Sequence, residues 1–287
     1  MRTWKLAGVQ MDCTLGDNAG NRALLRHRLA TAFDGGANVV VFPECILSGY
    51  GFTSRAEIDE IAEPFPGRSA HILAEDCARL GVWCAYGFFE LAGAKLYNSC
   101  ALIGPSGPVA CYRKLHLPCV GADRFTDPGD QPFAVHDLDG LKLGIHICFD
   151  GGFPETTRIL TLLGADIAIL PTNWADKAMK SATMVPPVRA LENHIYFAAV
   201  NRVGVESGFH YIGRSSITDP LGDPLASADH DREAILYADI DPDAARDKRV
   251  VNIPKDYEID RVNWRRPDIY GPLLDGPIFT GHRNGPG

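Results

Sequence analysis

Long hydrophobic runs are missing from this chain of 287 residues. Apolar stretches such as Val39–Pro43 and Ile167–Pro171 are far too short to cross a bilayer. No N-terminal apolar run resembles a signal peptide, because Met1–Gln10 holds Arg2 and Lys5 and reads as a strand. An excess of basic charge is missing too: 28 Lys and Arg against 36 Asp and Glu leave a formal net charge of −8. Phosphate backbones and anionic lipid surfaces both favour a basic face, so neither nucleic acid nor membrane is expected as a partner. The eight cysteines include no CxxC pair, so zinc and thioredoxin-like readings lose their usual support. They are expected to be reduced thiols, mostly buried, in a cytoplasmic protein. Neither a GxGxxG after a strand nor a GxxxxGK(S/T) loop occurs, which removes the common nucleotide-binding readings.

What is present is the composition of an ordinary globular protein, 46% hydrophobic and 22% charged. Only Gly281–Gly287 looks unstructured. Three segments share one grammar. Asn21–Asp34, Ser69–Leu80 and Thr156–Leu163 carry apolar residues at helical spacing. Each is followed by glycine and then by a buried-strand run: Val39–Phe42, Val82–Phe88 and Ile167–Leu170. Repeated helix–glycine–strand units mean α/β, with helices covering a sheet. Further strands are expected at Lys5–Met11, Ser99–Ile103, Val109–Tyr112, Leu141–Cys148, Tyr196–Val200, Ile212–Thr218 and Ala234–Ile240. Turns such as Gly104–Gly107 and Asp219–Gly222 join some of them directly, so antiparallel pairs are mixed with parallel ones. About eleven strands exceed what one open twisted sheet usually holds, and two packed sheets with helices outside is the economical solution. A single domain is expected over 1–287. Its last part, about 241–287, reads as an extension that packs on something.

Three reactive or charged residues stand at strand ends, where ligands of α/β sheets collect. Glu44 follows Val39–Pro43, Lys114 follows Val109–Tyr112, and Cys148 closes Leu141–Ile147. Alone, each has a plain reading: an inert core thiol, a capping glutamate, a solvated lysine. Together they have a chemical logic. Cleaving a carbon–nitrogen bond needs a nucleophile, a base for it, an acid for the departing amine and a donor for the oxyanion. Cys148 would attack, and Glu44 would take the thiol proton and pass it to the leaving nitrogen. Lys114 and the backbone N–H of Phe149 would hold the oxyanion, one such donor being worth about 2.7–4 kcal/mol. A helix starting near Pro154 is expected to favour thiolate if the glycine-rich turn keeps the sulfur at its N-terminus.

Phe42-Pro43-Glu44, Tyr112–Pro118 and Ile147–Glu155 resemble, in order and spacing, the three motifs of the nitrilase (carbon–nitrogen hydrolase) superfamily. The resemblance extends through Leu170–Trp174, Arg189–Asn193, Asn201–Gly204 and Gly213–Gly222, and covers about Leu6 to Ile240. It implies a four-layer α-β-β-α sandwich with two mixed sheets, a Glu44–Lys114–Cys148 triad, and a thioester intermediate. It also implies no metal or organic cofactor, and homo-oligomers built on a dimer. The Arg265–Asp268 segment would then cross onto a partner subunit.

Two departures bear on chemistry. Family members often carry a second glutamate shortly after the lysine; here Asp123 is the only carboxylate in Leu117–Phe125, and it is one methylene shorter. Either its loop moves inward or the role is weak. After Cys148, Phe149-Asp150 is similar to amide-cleaving branches. Gly151-Gly152 replaces the basic residues that resemble carboxylate binders in N-carbamoyl-amino-acid hydrolases, which points to a roomier pocket for a small neutral amide. Asn173, Trp174 and Tyr50 are candidate pocket residues. Arg189 and Glu192 are expected to pair at i, i+3 on a helix starting after Pro186-Pro187, and Cys45 to be structural because strand neighbours face opposite ways. The alternatives are an N-carbamoyl amide hydrolase or a nitrilase with the same triad, and a non-catalytic binding member of the superfamily.

Overall fold

The computed structural model describes residues 4–274, so Gly281–Gly287 lies outside the described residues. Two six-stranded sheets form its centre. The first runs, edge to edge, Ala234–Ile240, Trp4–Gln10, Val39–Val41, Trp83–Ala92, Lys95–Gly104 and Gly107–Arg113. Its inner pairs, Trp4–Gln10 with Val39–Val41 and Val39–Val41 with Trp83–Ala92, are parallel; the rest are antiparallel. The second sheet runs Pro224–Ser227, Ser216–Thr218, Tyr196–Asn201, Ile167–Thr172, Lys142–Ile145 and Val135–Asp137, again with two parallel pairs at its centre.

Strand alternation explains the layers. Val39 and Val41 face the second sheet and join Leu102, Leu143, Ile145, Ile169 and Val200 in the core between the sheets. Val40, pointing the other way, packs with Leu25, Leu29, Leu73 and Cys77 of the helices Asn18–Asp34 and Arg68–Leu80. On the far side Ala168 and Leu170 meet Leu160 and Ala190 of the helices Pro154–Leu162 and Met179–Asn193. Both faces of each central strand are therefore buried, which is why these strands are continuous apolar runs rather than alternating ones. The result is the α-β-β-α sandwich the motifs imply. The helix Arg68–Leu80 ends at Gly81 with φ 69°, and Gly36 and Gly164 hold φ 88° and 91° before the other two strand runs.

Three details differ from expectation. The strand expected at Ile212–Thr218 is two strands, because Gly213 and Arg214 adopt φ 63° and 59° and turn the chain from Phe209–Ile212 to Ser216–Thr218. The strand expected to reach Cys148 ends at Ile145. The helix placed after the proline pair begins upstream and runs Met179–Asn193 through both prolines. Each proline lacks the N–H that would close a helical turn. The helix persists because its second half is tied down: Arg189 pairs with Glu192 at 2.8 Å and donates to the Gly151 carbonyl at 3.0 Å.

Past Ile240 the chain first packs back on the rest of the sandwich. Ala245 enters the core between the sheets, and Arg246 holds both oxygens of buried Asp166 at 2.9 and 2.8 Å. Lys248 donates to the His194 carbonyl, and Val262 is buried. Beyond it, Trp264, Ile269, Leu273 and Leu274 are exposed. Among the described residues, no helix is long and apolar enough to cross a membrane.

Candidate active site

The first sheet delivers Glu44, Lys114 and the residues that lock them. Glu44 leaves Val39–Val41 through Phe42-Pro43 and turns sharply, with Cys45 at φ 47°. This turn lies against Gly87 of the neighbouring strand, where a Cβ would sit 2.2 Å from the Cys45 nitrogen. Lys114 stands just past Gly107–Arg113 and its backbone N–H donates to Asn98 at 2.8 Å. Its ammonium lies 2.7 Å from Glu44 Oε1 and 2.5 Å from Asp123 Oδ2, all three side chains being fully buried. Asn98 Nδ2 donates to the same two carboxylates, at 2.7 Å to Glu44 and 2.8 Å to Asp123. The aspartate reaches the lysine because the 3₁₀ turn Gly121–Arg124 folds inward over Tyr50. Gly121 has φ 52°, and a Cβ there would stand 2.1 Å from the Tyr50 ring. The Tyr50 hydroxyl in turn lies 2.9 Å from Asp123 Oδ2.

Two carboxylates and one ammonium in a dry site set the protonation pattern. Burial pushes Glu44 above the ordinary carboxylate range, against the pull of Lys114, and Asp123 adds to the rise. Burial alone would lower Lys114, but the charges of Asp123 and Glu44 more than offset it and hold the ammonium charged well above its usual range. Glu44 Oε1 takes both hydrogen bonds, whereas Oε2 is buried with no partner among the described residues.

The second sheet delivers Cys148. The chain leaves Lys142–Ile145 and enters a 3₁₀ turn, Cys148–Gly152, with Cys148 at φ 43°. Strained left-handed backbone at a non-glycine residue is uncommon and clusters at functional sites. Asp150 fastens the turn. Its carboxylate accepts from the Ile147 N–H at 3.0 Å, the Tyr112 hydroxyl at 2.8 Å and the His116 N–H at 3.0 Å. Burial would raise Asp150, but bonds from His116 and Ile147 and the charge of Lys114 hold it below its usual range. Arg189 grips the Gly151 and Gly152 carbonyls. His146 is a core residue, pushed down to about 4 by burial and bonded to Ile169 and Thr157.

The expectation of a helix-favoured thiolate fails here. The helix begins at Pro154, a full 3₁₀ turn beyond the sulfur. Burial first, and the Glu44 carboxylate second, carry the Cys148 thiol well above its ordinary value, while Lys114 and the Asn173 backbone act the other way. A neutral thiol needs a base at the moment of attack.

A cavity of about 680 Å³ opens over this floor, lined by Glu44, Tyr50, Cys148, Phe149, Asn173 and Trp174 among others. Six of the eight residues singled out in the sequence thus share one space; Lys114 and Asp123 are bonded to Glu44 but do not line it. Asn173 and Trp174 are set by Asn201, whose side chain accepts from the Trp174 N–H at 2.7 Å and from Thr172 at 2.7 Å.

Several supports were not read from the sequence. Asn98 is the main one; its signal was a lone amide in the apolar strand Lys95–Gly104. Buried Glu206 accepts from the Tyr50 and Gly51 N–H groups at 2.8 and 2.6 Å and faces buried Arg202 at 2.8 Å. Cys45 is structural but not turned away from Glu44, because it lies outside the strand. Its thiol donates to Asn98 Oδ1 at 3.3 Å.

Known proteins place this arrangement in a class. The sequence model described as carbon-nitrogen hydrolase matches residues 5–250, and the chain belongs to that family. It is a hydrolase of carbon–nitrogen bonds other than peptide bonds. It is 38% identical to a protein named nitrilase from Pyrococcus abyssi, over 86% of this chain and 93% of that one. It is 33% identical to an (R)-stereoselective amidase from Pseudomonas sp., over 83% and 85%. It is 31% identical to an N-carbamoylputrescine amidase from Solanum lycopersicum, over 94% of each chain. The fold matches a variant of the amidase from Nesterenkonia sp. AN1 that shows covalent addition of the acetamide moiety of fluoroacetamide at its active-site cysteine. That match has a TM-score of 0.78 at 22% identity, covering 94% of this chain and 97% of that one.

If Glu44 Oε2 takes the thiol proton, alkylation of Cys148 by iodoacetamide rises with Glu44 ionisation, above the ordinary 4.5 for a glutamate. Asn98→Ala removes a donor to the ionised carboxylate. It should move that limb to higher pH by about one unit; a limb that stays in place would remove Asn98 from the pathway.

Proposed function

We propose that Cys148 attacks an uncharged amide to form a thioester, with Glu44 as its proton shuttle and Lys114 as the fixed positive charge. The observation that carries this is the one free oxygen of Glu44: a buried, unpartnered carboxylate atom on a residue that lines the same cavity as Cys148. Oε2 takes the Sγ proton as sulfur bonds to the carbonyl carbon. The oxyanion develops against the Phe149 N–H, with the charge of Lys114 behind it. The C–N bond then breaks as Glu44 returns its proton to nitrogen, and ammonia leaves. Water, deprotonated by Glu44, attacks the thioester, the C–S bond breaks, and the acid departs with the thiol restored.

Asp123 acts here through Lys114. It holds the ammonium while Asn98 donates to both carboxylates, so that Oε1 of Glu44 is occupied and Oε2 is left for chemistry. Amides are favoured over N-carbamoyl amino acids because Gly151-Gly152 supplies no basic side chain at that spot to receive a carboxylate. The names of the relatives, which include both amidases and N-carbamoylputrescine amidases, fit the same bond type.

Ammonia release should be detectable with at least one member of a panel of amides, N-carbamoyl compounds and nitriles. It should fall at least about 10⁴-fold in Cys148→Ala, since the whole covalent route is lost. Turnover that survives this substitution would sink the mechanism. We also place the protein in the cytoplasm as a homo-oligomer, the exposed Trp264, Ile269, Leu273 and Leu274 being supplied for contact with a second subunit. Sedimentation should give at least a dimer; a monomer at micromolar concentration would count against that reading.

A further inference from the structure

The cavity above Cys148 is far larger than the smallest amides need. At about 680 Å³ it lies in the range that encloses drug-sized ligands. Its walls also have one chemistry. Phe149, Val120, Trp174, Val185, Phe209 and Tyr211 supply apolar surface. The Tyr211 hydroxyl is 3.4 Å from Glu206, and its ring packs against the Arg202 guanidinium and Phe209.

Charge is confined to two levels. Glu44 lies at the floor, and Asp176, Lys177 and His210 line the cavity as well. Asp176 and Lys177 are exposed and His210 is half-buried, and His210 is already engaged, 2.7 Å from Asp176 and 3.1 Å from Asp231. Asp176 and His210 keep 67% and 41% of their side chains in water, so they offer weak, screened attraction. Among the described residues, no arginine lines the space. Away from the floor, Asn173 is the buried amide residue that lines the cavity. It is 8% exposed, and neither its Oδ1 nor its Nδ2 has a partner among the described residues. Buried amides are almost always paired, and one left without a partner on both atoms beside a cavity is a contact that a ligand can complete by a small turn of the side chain.

We propose that the substrate is an uncharged amide whose acyl group is bulky, apolar and ring-sized, and carries one hydrogen-bonding group that pairs with Asn173. This rests on the amidase reading and extends it from the bond cleaved to the group attached. A carboxylate or ammonium on the acyl chain would be stripped of water against Trp174 and Phe209 with no partner there. A short acyl group would leave the walls unfilled, and binding energy from the remote part of a substrate is what accelerates the chemistry at the reacting end.

The test is kcat/KM for acetamide, butyramide, phenylacetamide, its α-, meta- and para-hydroxy derivatives, and succinamate. Values should rise about fourfold per buried methylene from acetamide to butyramide, and burial of the phenyl ring should put phenylacetamide on the order of 100-fold above acetamide. At least one hydroxylated derivative should exceed phenylacetamide by about tenfold, and Asn173→Leu should lower that derivative more than it lowers phenylacetamide, so that the gain disappears from their ratio. Succinamate should fall well below butyramide. Ala178→Phe, which fills the cavity, should lower the phenylacetamide-to-acetamide ratio by at least about tenfold. Acetamide matching phenylacetamide, or succinamate exceeding butyramide, would overturn the inference and leave the amidase reading standing. Silence on every amide, with Cys148 still alkylated by iodoacetamide, would overturn both.

Discussion

One buried ammonium between two buried carboxylates governs this site. Lys114 touches Glu44 and Asp123 with no solvent around any of the three side chains. Burying charge is costly, and removing one partner from such a group is costlier still, about 3–5 kcal/mol for a broken buried pair. The cluster is therefore not a stability device; two carboxylates with one cation leave a surplus negative charge that an apolar core would not carry. What the arrangement supplies is position and protonation state. Asn98 and Lys114 saturate one oxygen of Glu44, and the other is buried without a partner among the described residues, on a residue that lines the cavity.

The fold supplies the second half of the site by packing, not by chain proximity. Glu44, Asn98 and Lys114 belong to the first sheet and its strand ends; Cys148 and Asn173 belong to the second. The core between the sheets, with Val39 and Val41 against residues such as Ile145 and Ile169, fixes how these groups meet. Local devices then complete each half. On one side a glycine at 87 allows the Glu44 turn to approach, and on the other Asp150 and Arg189 clamp the turn that holds the sulfur. Strain at Cys45 and Cys148, both with positive φ, sits where these two turns leave their strands.

Much of this was legible in residue order. Buried strands are continuous apolar runs, and glycine marks the helix ends before them, so the layers could be read from Val39–Phe42, Val82–Phe88 and Ile167–Leu170. Glu44, Lys114 and Cys148 stood out because they interrupt or end such runs. The remainder depended on distances that periodicity does not encode. Asp123 looked too short, and only the inward fold of Gly121–Arg124 brings it to Lys114. Pro186-Pro187 looked like a helix start, yet tertiary ties at Arg189 carry the helix through both. The thiol looked set for activation by a helix end, whereas burial and Glu44 decide its state. Asn98 and Glu206 work only through neighbours far away in the chain.

The central claim is a covalent acyl group on one cysteine among eight. It is tested most directly by mixing the protein with a turned-over amide, quenching in acid within milliseconds, and measuring the intact mass and then the peptide masses. The account predicts a transient increase equal to the acyl group less one hydrogen, carried by the peptide containing Cys148 and released by hydroxylamine. Turnover with no adduct at any time, or an adduct on another cysteine, would contradict it.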